Sequence, residues 1–375
     1  MPKTSGWRRT LSVLLAGLFV VGCAPSAPNA TQPPPTLRSD FRVAVVLNAE
    51  GTIRDGTFNE SAYVGASQAG RDFNLEVAYR ETVEDKDYPI AISAMIESGY
   101  NIIVTVGFQM QKDTVEAAVN HPQLYFIGVD QFEAAAPANF VGVQFAEDQA
   151  GFLVGALAGM MTKTNVVGVV AGIEIPPVQR YVKGFVNGAR YVNPNVTALS
   201  AYTTSFADPA QGRDQADAMI AQNADVIFGA GGLTGSSAIV HAAAQGKYVI
   251  GVDQDEFRTT FAAGKDAERI LSSAVKRVDT GVYTAIQNII ERKFSGGVLT
   301  LNAAVCGIGY APFNKASGDV PQEVKNRLEA IWRALAGNTL QTGVADGETP
   351  PEPLASDALP PIADDAPRLS DCTRG

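Results

Sequence analysis

Tyr125-Phe-Ile-Gly-Val-Asp-Gln131 and Tyr248-Val-Ile-Gly-Val-Asp-Gln254 repeat one another at a distance of 123 residues. Neighbouring runs repeat at nearly the same offset. Phe41-Arg-Val-Ala-Val-Val-Leu-Asn48 answers Asn165-Val-Val-Gly-Val-Val-Ala-Gly172, and Asn74-Leu-Glu-Val-Ala-Tyr79 answers Asn195-Val-Thr-Ala-Leu-Ser200. Asn101-Ile-Ile-Val-Thr-Val-Gly107 answers Asp225-Val-Ile-Phe-Gly-Ala-Gly231. Four strand-like runs in the same order, twice, specify two similar lobes rather than a solenoid of short units. Each run ends at a polar or glycine edge, and in open parallel sheets that carboxyl edge is where ligands sit. Two such edges, each presenting an aspartate (Asp130 and Asp253), predict a cleft with one carboxylate from either side.

Between the strand-like runs lie segments of helical period: 58–72, 87–99, 147–163, 177–193, 209–223 and 235–245. Alternation of this kind gives parallel sheets with right-handed crossovers, an α/β fold. A further strand at 269–276 and a helix at 279–294 follow after both sets of four, and they are expected to cross back to the first lobe. The expected division is 41–145 plus 268–295 for lobe 1 and 146–267 plus 296–340 for lobe 2, with a hinge of several crossings between them. The last helix, 321–337, is expected to cover lobe 2.

The two ends read differently from the body. Lys3, Arg8 and Arg9 precede an apolar run, Leu11 to Val21, too short for a comfortable membrane span. It ends in Val20-Val21-Gly22-Cys23, which resembles a bacterial lipobox, so residues 1–22 read as a lipoprotein signal peptide and Cys23 as the lipidated cysteine. The expected place is the cell envelope, anchored by lipid to the outer face of the cytoplasmic membrane. Residues 23–40 carry Pro25, Pro28 and Pro33-Pro34-Pro35 and read as a tether. From Ala345 to Gly375 seven acids stand against Arg368 and Arg374, with six prolines among them. The tail, 341–375, is therefore expected to be disordered.

Composition narrows the function. The chain has 375 residues, is 46% hydrophobic and 18% charged, and carries a net charge of −10. No basic stripe is available to neutralise phosphates, so no nucleic-acid partner is expected. The only histidines are His121 and His241, and no two cysteines have metal-ligand spacing, so neither a metal nor a histidine-based catalytic centre is expected. In an oxidising exterior Cys306 and Cys372 either pair and pin the tail, or Cys306 stays buried and free.

The candidate site residues follow from the strand edges. Gly51-Thr-Ile-Arg-Asp-Gly-Thr-Phe-Asn59 joins the first strand to the first helix, with Asp55 or Thr57 as its cap. Phe58 then offers a flat stacking face and Asn59 a donor and an acceptor, unless Phe58 enters the core. Asp130 and Asp253 suit vicinal hydroxyls. Lys276 either anchors a ligand hydroxyl or pairs with one of these aspartates. Phe206 is either the facing aromatic or a loop residue packed on lobe 2. Gly229-Ala-Gly-Gly-Leu-Thr-Gly235 approaches a dinucleotide fingerprint, but Thr234 occupies the third glycine position. No cofactor is expected, and Gly231 reads instead as a close backbone approach to a smaller ligand.

Asp55-Gly-Thr-Phe-Asn59, Gly128-Val-Asp130, Gln149-Ala-Gly-Phe-Leu-Val-Gly-Ala156, Gly184-Phe185, Gly188-Ala-Arg-Tyr-Val-Asn-Pro194, Gly251-Val-Asp253 and Val275-Lys-Arg-Val-Asp279 occur in this order. Together they resemble the basic membrane protein family of bacterial lipoproteins, over about Phe41 to Leu340. The resemblance implies a periplasmic-binding-protein type I fold whose lobes close on a nucleoside and hand it to an ABC transporter permease. It also implies that Phe58 stacks on the base, that Asn59 reads its edge, and that Asp130, Asp253 and Lys276 hold the ribose. Two departures stand out. Where the family has an aspartate nine residues before the stacking aromatic, this chain has Ala49, with Asn48 and Glu50 beside it. Asn48 is thus a candidate contact and the choice of base stays open. Before the glycine at 307 the chain reads Val305-Cys306.

The reading is a monomeric binding protein with no chemistry of its own, whose lobes close around a small hydroxylated ligand. A nucleoside hydrolase using Asp130 or Asp253 as general base is the alternative from another class, and a receptor signalling to a membrane partner would use the same constellation. A repressor of the same architecture would need a basic helix-turn-helix where the signal and tether stand.

Overall fold

The duplicated runs form two sheets of six strands with the same internal order. The computed structural model describes residues 40–49, 51–345, 347–355 and 358–372. The expected signal peptide, Cys23 and all but the last residue of the tether lie outside the described residues.

The first sheet contains β1 (Arg42–Val46), β2 (Glu76–Arg80), β3 (Ile102–Val106), β4 (Tyr125–Val129) and β5 (Phe140–Phe145). The second contains β6 (Val166–Ala171), β7 (Thr197–Tyr202), β8 (Val226–Ala230), β9 (Tyr248–Asp253) and β10 (Ile270–Lys276). Their spatial orders, β5-β4-β3-β1-β2 and β10-β9-β8-β6-β7, are the same permutation. β11 (Gly297–Leu301) extends the first sheet beside β5, and β12 (Ile308–Tyr310) extends the second, antiparallel to β10. All other pairs are parallel, and the inner strands are buried on both faces, which is why they read as near-continuous apolar runs, while the edge strands β2, β7 and β11 are partly exposed.

Helices α1 (Phe58–Phe73), α2 (Tyr88–Glu97) and α3 (Gln111–Asn120) connect the first set. α5 (Pro176–Val192), α6 (Pro209–Ile220) and α7 (Gly232–Ala244) connect the second, after α4 (Glu147–Met161). α8 (Val278–Ile290) lies against α1, where a Cβ on Gly65 would stand 2.1 Å from the Asp279 carbonyl oxygen. α9 (Gln322–Ala336) closes the second lobe, with Trp332 fully buried and its indole N–H donating to the Ile308 carbonyl at 3.4 Å.

Three expectations are corrected. The strand at 269–276 does not return to the first lobe. It is β10, paired in parallel with β9 as β5 is with β4, so each repeat has five strands rather than four. The longer connection before β10 hid this equivalence. The chain crosses back only after Lys276, and α8 and β11 then belong with the first sheet, so 296–301 is not part of lobe 2 as expected. The lobes are joined at Ala146, at Arg277 and through 302–307.

The tail is not disordered where it is described. Apart from one helical turn at Leu369–Cys372 its described residues form neither helix nor strand, and it straps across α5 and α9. The Leu354 N–H donates to the Tyr191 carbonyl at 2.6 Å, and Arg327 and Arg333 donate to the carbonyls of Ala355 and Ala366. Ala366 is buried, and Cys372 is disulfide-bonded to Cys306 in the third crossing. Acidic composition suggested a solvated chain, yet arginines of α9 hold two of its carbonyls and Leu354, Ala366 and Leu369 pack on the body, while Leu359 stays exposed.

Candidate functional site

The carboxyl edges of the two sheets face one another across a cavity of about 300 Å³, at the small end of the roughly 300–1,000 Å³ of ligand sites. Asp130 follows β4 and Asp253 ends β9, and both adopt the left-handed conformation, with φ of 61° and 63°. Aspartate tolerates that region better than most residues. The turn aims both carboxylates off the strand ends into the cleft. The glycine two residues before each aspartate has a steric cause. A Cβ on Gly128 would meet the folded-back Gln131 amide, and one on Gly251 would meet the side chain of Glu256.

Lys276, at the end of β10, reaches across the cleft from the second lobe and donates to Asp130 Oδ2 at 2.7 Å. Its Nζ also lies 2.9 Å from Glu147 Oε1, an ion contact off the line of a hydrogen bond. The other oxygen of Glu147 accepts from Arg180 Nε at 2.7 Å. α4 and α5 bring these two residues together because glycines let their backbones touch: a Cβ on Gly184 would stand 2.2 Å from the Asp148 carbonyl oxygen, and one on Gly151 2.3 Å from that of Tyr181. Asp130 Oδ1 is buried and has no hydrogen-bond partner among the described residues, and a buried unsatisfied acceptor of this kind marks a place where a donor belongs.

Burial dominates the electrostatics of both aspartates. It pushes Asp130 up to about 6, with Lys276 opposing and Glu147 reinforcing. It pushes Asp253 up to about 7, again against Lys276. Burial also works against the charge on Lys276, but Asp130, Glu147 and Asp253 outweigh it and hold the ammonium pKa above its ordinary value. Tyr181 donates to Asp253 Oδ1 at 3.3 Å, and burial together with that carboxylate pushes the phenol up.

Phe58 opens α1. Asp55 caps the helix, accepting from the N–H groups of Thr57, Asn59 and Glu60. Phe58 is half-buried and lines the cavity, with Lys276 Nζ 5.0 Å from its ring centroid. Phe206 lines the opposite wall, and its loop is fixed by Thr234, whose hydroxyl donates to the Ser205 carbonyl at 2.8 Å. That is the work of the non-glycine residue in the 229–235 stretch. Gly231 lines the cavity too, but its close approach is to protein: a Cβ there would stand 2.5 Å from the Gly172 nitrogen.

At the far end stand three amides. Asn59 is turned onto the backbone of Asn48, accepting from its N–H at 3.1 Å and donating to its carbonyl at 3.4 Å. It braces the strand end more than it presents a free edge, which differs from the sequence expectation. Asn48 in turn donates to Gln109 Oε1 at 2.9 Å. Ala49 lies alongside, its N–H donating to the Tyr88 hydroxyl.

The structure thus brings Asn48, Phe58, Asn59, Asp130, Phe206, Gly231, Asp253 and Lys276 to one cavity. Gln109, Tyr181, Glu147 and Arg180 were missed. The first two had no repeat partner to flag them, and Glu147 looked like an ordinary acid in the first turn of a helix. Among the described residues no cluster of histidine, cysteine or carboxylate side chains has the make-up of a metal site.

Two parallel-sheet lobes, three crossings and a charged cleft between carboxyl edges define a solute-binding protein of the periplasmic-binding-protein type I fold. A solved solute-binding protein of an ABC transporter system from Aeropyrum pernix K1 superposes with a TM-score of 0.70 at 25% identity, covering 80% of this chain and 92% of that one. Residues 42–333 match the family model Bmp, described as ABC transporter substrate-binding protein PnrA-like, and the chain belongs to that family. It is 29% identical over 353 residues to the ABC transporter nucleoside-binding protein BmpA of Lactococcus lactis subsp. cremoris, covering 90% of this chain and 96% of that protein. It is 28% identical to basic membrane protein A of Borreliella burgdorferi, over 86% of this chain and 92% of that protein.

Proposed function

We propose that this chain captures a nucleoside in the interlobe cleft and delivers it intact to an ABC importer. The observation that carries the reading is the meeting of Phe58, Phe206, Asp130, Asp253 and the Lys276 ammonium in one cavity sized for a small ligand. A base between Phe58 and Phe206 gains stacking of about 1–3 kcal/mol. The ribose hydroxyls donate to Asp130 Oδ1 and to Asp253, and accept from Lys276, each charge-assisted bond contributing about 1.5–3 kcal/mol. The name of the Lactococcus relative supports a nucleoside over a free sugar.

In place of a carboxylate at Ala49, the side chains of Asn48 and Gln109 offer neutral amide groups toward the base. Lipidation at Cys23 would hold the protein on the outer face of the cytoplasmic membrane, beside the permease.

A hydrolase reading draws on one observation: Asp253, raised to about 7, has the basicity of a general base. Calorimetric titration of the purified protein with purine and pyrimidine nucleosides, free bases and ribose separates the two. Saturable heat with a nucleoside that chromatography recovers intact is expected. Recovery of free base and ribose supports the hydrolase, and no heat with any nucleoside rejects the proposed ligand class.

A further inference from the structure

Asp130, Asp253 and Lys276 line the cleft, Glu147 and Arg180 stand behind Lys276, and Tyr181 is the neutral donor to Asp253; the carboxylates of Asp148, acting on Glu147, and of Asp55, acting on Asp253, add to the negative side. Of Asp130, Asp253, Lys276, Glu147 and Arg180, only Asp130 belongs to the first lobe. Lys276, Glu147, Arg180 and Asp253 all ride on the second, on β10, α4, α5 and β9. Lobe opening therefore separates Asp130 from Lys276 at one ion pair, while Lys276 keeps Glu147. When the lobes meet, Glu147 is fully buried among more carboxylates than cations, with Asp148 beside it, and it shares the ammonium that Asp130 needs.

We infer that Glu147, steadied by Arg180, is a positioning residue that makes closure of the cleft depend on a ligand. Burying a net charge is costly, and an ammonium divided between two carboxylates clasps each less firmly than one would be clasped alone. The Lys276–Asp130 pair by itself thus falls short of shutting an empty cleft. Hydroxyl donors entering at Asp130 Oδ1 supply the missing compensation. Without Glu147 the same pair is undivided and the excess of carboxylates is smaller. Without Arg180 that excess is larger.

The inference rests on the nucleoside reading for what enters the cleft, but not for the lobe motion. Glu147→Gln and Arg180→Gln both abolish the same ion pair, so a purely structural role for that pair moves both variants in one direction. Here they move oppositely. In small-angle scattering of the ligand-free protein at pH 8, Glu147→Gln has a smaller radius of gyration than wild type and Arg180→Gln a larger one. In stopped-flow with the nucleoside identified by calorimetry, release slows about tenfold in Glu147→Gln and speeds in Arg180→Gln, matching a displacement of about one pH unit at Asp130. The acid limb of binding moves to lower pH in the first and to higher pH in the second.

Equal radii for the three ligand-free proteins, or displacement of both variants the same way, overturns the inference. If Glu147→Gln fails to fold, Arg180→Gln, whose side chain reaches solvent, must still open the empty protein or the inference falls. If wild type binds no nucleoside, the functional reading fails while the scattering still decides this one.

Discussion

Acidification from pH 8 to pH 5 should weaken nucleoside binding while stabilising the empty protein. Asp253 and Asp130, raised to about 7 and about 6, are both ionised at pH 8 and both largely protonated at pH 5. A hydroxyl donating to a carboxylate forms a charge-assisted bond, and protonation replaces it with a neutral one, a loss of about 1–1.4 kcal/mol per acid. Two acids give roughly a 30- to 100-fold loss of affinity. The sign for folding is the reverse. Both folded-state values lie above the ordinary 3.8, so the native state binds more protons than the unfolded chain, and stability rises as pH falls through 7 and 6. For a group as buried as Asp253 that gain is on the order of 2–4 kcal/mol before other groups respond. Calorimetry at constant ionic strength gives the affinity, and denaturant unfolding at the same pH values gives the stability. In Asp253→Asn the upper step of the affinity profile should vanish and the lower remain. Affinity flat between pH 8 and pH 5, or affinity and stability falling together, would refute the assignment of these carboxylates to the ligand.

Phe58→Ala should weaken nucleoside binding at least tenfold by loss of the stacking face. As the ring is only half-buried, the empty protein should lose about 1–2 kcal/mol rather than the roughly 3–5 kcal/mol of a core phenylalanine; unchanged affinity by calorimetry removes Phe58 from the site. Gly155→Ala places a methyl group 2.1 Å from the Phe185 carbonyl oxygen, so forcing α4 and α5 apart should cost about 1–3 kcal/mol. An unaltered unfolding midpoint contradicts that helix contact. Reduction of Cys306–Cys372 should expose the segment after Leu340 to limited proteolysis without abolishing ligand binding, whereas protection equal to the oxidised protein means the strap holds by its packing alone.

The architecture was legible because it is written twice. The paired heptapeptides became β4 and β9, and their aspartates took up the same left-handed turn at the same sheet edge. What the repeat did not cover was misread. β10 is the counterpart of β5, but the longer connection before it broke the offset and sent it to the wrong lobe. The tail's charge and prolines spoke for disorder, while the carbonyl acceptors that dock it on Arg327 and Arg333 are invisible in composition.

Within the site, residues placed by strand ends could be named, whereas those placed by helix packing could not. Glu147 and Arg180 meet because Gly151, Gly155 and Gly159 on α4 face Gly184 and Gly188 on α5; that four-residue spacing marks two helices in close contact but does not say which two side chains end up paired. Asn59 shows the reverse limit. Its residue type suggested an edge reader, and the backbone of Asn48 claims it as a brace.

A crystal structure of the protein grown with the tightest-binding nucleoside tests the central claim most directly. The account predicts electron density for the base between Phe58 and Phe206, with the ribose hydroxyls within hydrogen-bond distance of Asp130 Oδ1, Asp253 and Lys276. Density for the ligand elsewhere, or a ribose turned away from both aspartates, contradicts it.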